Sequence, residues 1–104
     1  MPKYFFAYHG GGMPETEEEG IKAMKAWKDW FEGLGDRCVD PGNPVGMSKT
    51  VSTAGVVDNG GSNPLSGYSI VEAADEAEAC ELASGCPILE GGKGSVEVAP
   101  LIEM

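Results

Sequence analysis

Seven residues near the start of the chain limit the architecture more than any other feature. Residues 3–9, Lys3-Tyr4-Phe5-Phe6-Ala7-Tyr8-His9, are aromatic-rich, and Gly10-Gly11-Gly12 ends them. Short length, aromatic content and a glycine exit are strand chemistry. Alternation puts Tyr4, Phe6 and Tyr8 on one face and Phe5, Ala7 and His9 on the other. Both faces are largely apolar, so the strand is expected to lie inside a sheet covered on both sides.

A helix is expected to follow. Thr16 is the N-cap candidate, with Glu19 three residues on as its box partner. Glu15, Glu17, Glu18 and Glu19 suit the positive end of the helix dipole. Ile21, Met24, Trp27, Phe31 and Leu34 recur at helical spacing, broken by Lys28 and widened by Trp30. Lys22, Lys25 and Lys28 form a ridge on another side, and Gly33 and Gly35 stop the helix.

Residues 36–67 read as an ornate hairpin within the domain. Asp40-Pro41-Gly42-Asn43-Pro44 is a turn cluster, Val45 to Val57 a weak strand, and Asp58-Asn59-Gly60-Gly61 a second turn extended by Asn63-Pro64. Tyr68 to Ala73 is the next strand. Asp75, with Glu78 three residues later, caps a second helix whose core candidates are Ala77, Cys80, Leu82 and Ala83. Gly85 and Pro87 end it. Gly94 to Ile102 closes the chain as a strand, with Val96 and Val98 pointing one way and Glu97 the other.

The order is strand, helix, strand, strand, helix, strand. It predicts one α+β domain over residues 1–104, a ferredoxin-like βαββαβ unit with a four-stranded antiparallel sheet. Right-handed crossovers put both helices on one face. The apolar residues of the other face then need a second copy, which predicts a homodimer closing sheet against sheet into an α/β barrel.

The chain has 104 residues, one domain's worth, and a formal net charge of −10 from 17 acidic and 7 basic side chains. Such a surface repels nucleic acid and anionic membranes. The start is too short and lacks the cleavage pattern for a signal peptide, and no stretch has the apolar length of a membrane span. Three cysteines, none in a CxxC pair, argue against a disulfide framework, and one histidine leaves a zinc site without ordinary ligands. The expectation is a cytoplasmic protein with reduced thiols, no metal and no cofactor.

Three segments in order resemble the YCII-related (DGPF-type) domains. They are the aromatic first strand; Gly67 to Ala73 before a capped helix; and Ala83-Ser84-Gly85-Cys86-Pro87 leading to Gly94 through Leu101. The resemblance covers nearly the whole chain and implies a dimeric α/β barrel of ferredoxin-like subunits. A related dehydrochlorinase works through a histidine and an aspartate, the histidine lying near the start of the first helix. This chain has His9 at the end of the first strand instead. The Asp-Gly-Pro-Phe turn of the family survives only as Asp58-Asn59-Gly60-Gly61.

His9 is the side chain suited to proton transfer near neutral pH, and glycines beside it let backbone approach a ligand. A general base there needs an orienting carboxylate. Asp58 and Glu72 are the candidates, with Asp40 a third. The competing reading is a structural histidine bonded to a backbone carbonyl. Glu72 carries meaning if it faces the covered side and none if it faces solvent. Tyr8, Trp27 and Tyr68 are candidate ligand-binding aromatics; Trp27, Trp30 and Phe31 equally suit core or dimer contacts. Gly10-Gly11-Gly12 lacks the Gly-Lys-Ser/Thr ending of a phosphate loop and reads as a hinge. Two functions stay open. One is a small-molecule protein with histidine-assisted, lyase- or isomerase-like chemistry. The other is a non-catalytic ligand-binding or accessory dimeric module.

Overall fold

The computed structural model describes residues 1–11, 15–58 and 64–102. The fold is α+β, with two helices, a four-stranded antiparallel sheet and a separate two-stranded sheet. In chain order the elements are β1 (Lys3–Gly10), α1 (Glu17–Leu34), β2 (Cys38–Asp40), β3 (Lys49–Ser52), β4 (Gly55–Asp58), β5 (Leu65–Glu72), α2 (Glu76–Ala83) and β6 (Gly94–Pro100). Short 3-10 turns follow the helices at Gly35–Arg37 and Pro87–Gly92. The main sheet runs β2-β5-β1-β6 and is open, with β2 and β6 at its edges. β1 is therefore interior, as its two apolar faces require.

The face bearing Tyr4, Phe6 and Tyr8 packs under both helices. These three join Leu34, Val71, Ala73, Ala79, Ala83 and Cys86 in the core, flanked by Trp27, Trp30 and Phe31. Phe6 stacks on Trp30 with ring centroids 6.4 Å apart, and Tyr8 meets Trp27 edge-on at 5.1 Å. Such aromatic pairs contribute about 0.5–1.5 kcal/mol beyond area burial. The small side chains Ala79 and Ala83 let α2 approach the sheet closely.

Both helix starts behave as their sequences dictate. Thr16 Oγ1 accepts from Glu19 N at 3.1 Å, and Asp75 Oδ1 accepts from Glu78 N at 2.8 Å. The return arms reach one residue further back, Glu19 to the N–H of Glu15 and Glu78 to that of Ala74. Glu78 also takes Arg37, so the second cap is tied to the turn after α1. The first helix runs through Gly33 and is capped by Gly35 at φ +56°.

Several expectations need correction. Ile21 and Met24 are exposed, so the buried side of α1 begins further along, at Trp27, Trp30, Phe31 and Leu34. On α2 the buried residues are Ala79 and Ala83, whereas Ala77 and Cys80 face outward. The largest correction concerns residues 36–58. The second strand of the main sheet is Cys38–Asp40, pairing with Val71 and Ile70, and not the Val45–Val57 stretch. Asp40 Oδ1 accepts from Gly42 N at 2.8 Å, which bends the chain at Pro41 before Pro44 bridges Gly67 of β5. The Val45–Val57 stretch instead contains the hairpin β3–β4, which turns at Thr53-Ala54. The proposed turn at residues 58–61 and the Gly12 end of the glycine run lie largely outside the described residues.

Candidate functional site

Register decides what His9 meets. β6 pairs with β1 so that Ala7 stands opposite Glu97 and His9 opposite Ser95. Val96 and Val98 pack against the core, so Glu97 points to the helix-free face. His9 shares that face and reaches diagonally across the strand pair: Nε2 lies 3.1 Å from Glu97 Oε1. Its other nitrogen, Nδ1, lies 3.3 Å from the carbonyl oxygen of Pro64. A carbonyl only accepts, so Nδ1 carries hydrogen. Nε2 then faces a carboxylate, and that contact is favourable when one proton is shared between the ring and Glu97. The histidine is buried, whereas the Glu97 side chain is 70% exposed on an edge strand. A buried nitrogen is thereby joined to solvent through one carboxylate.

The same face carries an aromatic pair. Tyr68 stands opposite Ala7 and Phe5 opposite Ile70. Phe5 and Tyr68 stack with centroids 5.9 Å apart and planes 12° apart. Ala7 is the small residue between this pair and the His9–Glu97 contact. One cross-strand row thus reads Glu97, Ala7, Tyr68.

The expected carboxylates are elsewhere. Asp58 sits at the end of the hairpin, 86% exposed, and pairs with Lys49 at 3.2 Å. Glu72 stands opposite Lys3, at the far end of β1 from His9. Six residues of extended strand place it about 20 Å away. Asp40 is spent on its own turn. Glu97 was missed because its closeness to His9 depends on the β1–β6 register, which no local signal sets. Its alternation between Val96 and Val98 was legible; its partner was not.

The three expected aromatics do not form one wall. Tyr8 and Trp27 touch on the helix side, and Tyr68 lies on the other side of the sheet. The Tyr8 hydroxyl donates to Ser69 Oγ at 2.7 Å, and Ser69 Oγ donates to the Pro41 carbonyl at 2.6 Å. Burial raises the Tyr8 phenol well above its ordinary range, only partly offset by Ser69. The Tyr8 hydroxyl is thus committed to a buried hydrogen-bond chain on the helix side of the sheet. An open groove of roughly 590 Å³ lies between α1 and the end of α2, lined by Ala26, Asp29, Trp30, Gly85, Cys86 and Leu89 among others. It is on the helix side, and His9 does not line it.

All three thiols are free. Burial pushes Cys86 up to about 11 and also raises Cys38. Among the described residues no helix is long and apolar enough to cross a membrane. No family model matches the chain, and no curated protein matches it.

Proposed function

We propose that this chain is a YCII-related, ferredoxin-like domain that binds a small organic molecule on the helix-free face of its sheet and moves a proton there. The strand order β2-β5-β1-β6 with a helix after β1 and another after β5 supports that topology. The site consists of His9, Glu97, Tyr68 and Phe5. The observation that carries the reading is the 3.1 Å contact between His9 Nε2 and Glu97 Oε1. A flat ligand would lie against the Phe5–Tyr68 pair with its polar end toward Glu97. Glu97 exchanges a proton with solvent, and Nε2 serves as its relay. A second copy closes over this face in a homodimer, in keeping with the half-buried Phe5, Tyr68 and Ile70. The acidic surface and free thiols support a cytoplasmic setting.

A second reading, a binding module without chemistry, draws support from the 8% exposure of His9 and its bond to the Pro64 carbonyl. One experiment separates the two. A thermal-shift screen with small aromatic acids and alcohols identifies a ligand, and proton NMR in deuterium oxide follows exchange at its acidic C–H bonds. The proton-transfer reading expects exchange with the wild type and a loss of at least about tenfold in Glu97→Gln, which removes the proton carrier. Binding without exchange in the wild type assigns the module. Binding that Tyr68→Ala and Glu97→Gln both leave unchanged removes the site.

A further inference from the structure

The hairpin β3–β4 is an unusual use of apolar side chains. Every residue from Lys49 to Ser52 and from Gly55 to Asp58 is exposed. Val51, Val56 and Val57 are 74%, 61% and 58% exposed. Val51 stands opposite Val56, while Val57 stands opposite Thr50, so both faces of the ribbon present valine. A two-stranded hairpin with no packed face is marginal in water. Isolated exposed valines need no explanation, but Val51 and Val56 form a directly opposed, exposed apolar pair on one face of the ribbon.

The dimensions of the chain point the same way. Its radius of gyration is 14.7 Å, against about 13 Å for a compact domain of this length. It exposes 7273 Å², against about 5,500 Å² for a folded monomer of this mass. The surplus is larger than the roughly 800 Å² that each partner contributes to a standard interface. A surplus of this size, with exposed valines beside the turn of the hairpin, is enough for one partner's share of an interface. The net charge of −10 disfavours an anionic membrane as its cover.

We infer that the hairpin of residues 49–58 is an arm that reaches across to a second copy of the chain and packs its Val51–Val56 face against the helix-free face of that copy's sheet. This rests on the dimer proposed above and extends it. The sheet face supplies half-buried Phe5, Tyr68 and Ile70, and the reciprocal arm supplies the opposed pair Val51 and Val56. The arm also bounds the His9–Glu97 site of the other copy, so each site is complete only in the pair.

Sedimentation equilibrium of the full chain and of the double variant Val51→Lys, Val56→Glu tests this. The opposed charges keep a favourable cross-strand pair, so the ribbon itself is preserved. The expected result is a dimeric wild type and a variant whose dissociation constant rises at least about tenfold, with an unchanged far-UV spectrum. In parallel, a photo-reactive benzoylphenylalanine at Val56, in mixed light and heavy copies, is expected to cross-link to residues 3–10 or 65–72 of the other copy. A monomeric wild type would overturn the dimer itself. A dimeric wild type whose affinity is untouched by the charged arm, or cross-links confined to the same copy or to α1, would overturn the arm and leave the dimer standing.

Discussion

The relay Tyr8–Ser69–Pro41 offers the sharpest test of how this sheet is held. Ser69 is fully buried and Tyr8 nearly so, and the serine hydroxyl is both acceptor and donor. In Ser69→Ala two groups lose their partner. The Pro41 carbonyl belongs to an exposed residue and can turn to water. The Tyr8 hydroxyl cannot, and a stranded buried donor costs about 1–3 kcal/mol. We expect a loss of about 2 kcal/mol, which in a domain of this size lowers Tm by about 8–16 °C. Tyr8→Phe leaves Ser69 still bonded to Pro41 and forfeits one hydrogen bond, about 0.5–1.5 kcal/mol. The double variant strands no phenol, so its loss should not exceed that of Ser69→Ala alone. The coupling between the two sites is then on the order of 1 kcal/mol. Urea unfolding followed by tryptophan fluorescence measures it, since Trp27 lies against Tyr8. Protein concentration must be the same for all four proteins. Losses that add within about 0.5 kcal/mol would show that the two hydroxyls act independently, and the relay would be refuted.

Two glycines should respond with opposite signs. A Cβ on Gly42, at φ +70°, would fall 1.8 Å from the Tyr68 carbonyl oxygen, so Gly42→Ala should cost upward of about 3 kcal/mol or detach β2. Gly33 lies inside α1 with nothing near its would-be Cβ, and Gly33→Ala should gain about 0.5–1 kcal/mol. Urea midpoints check both, and a mild Gly42→Ala would contradict the turn geometry. Alkaline pH should also weaken the fold. The Cys86 thiol rises from 9.0 to about 11 on burial, and the Tyr8 phenol is raised as well. The unfolded chain loses these protons first, so the stability they contribute is whole below about pH 9 and lost as pH climbs toward 11. The urea midpoint should fall across that window, less so in Cys86→Ala; identical slopes would remove Cys86 as a cause.

What the sequence made legible divides along a physical line. Features encoded within a few residues were readable: the caps at Thr16 and Asp75, the alternation that sends Val96 and Glu97 to opposite faces, the interior place of β1. The three-residue strand β2 was not, because Cys38-Val39-Asp40 has no periodicity to detect, and its pairing depends on β5 across an intervening hairpin. Ile21 and Met24 misled because helical spacing records which residues share a side, and says nothing of whether the sheet extends beneath them. The site divides in the same way. His9 stood out through its chemistry and its neighbouring glycines. Choosing its carboxylate required knowing that Ala7 faces Glu97, a register fixed by the summed burial of Tyr4, Phe6 and Tyr8 against Val96 and Val98. A one-residue slip of β6 would turn Glu97 into the core and expose both valines. The apolar packing on the helix side therefore sets the geometry of the polar pair on the other face. This gives the His9–Glu97 contact a cause that does not depend on any attraction between the two groups. Abolishing that attraction with Glu97→Gln should leave the strands in place, and the substitution thus isolates chemistry from fold.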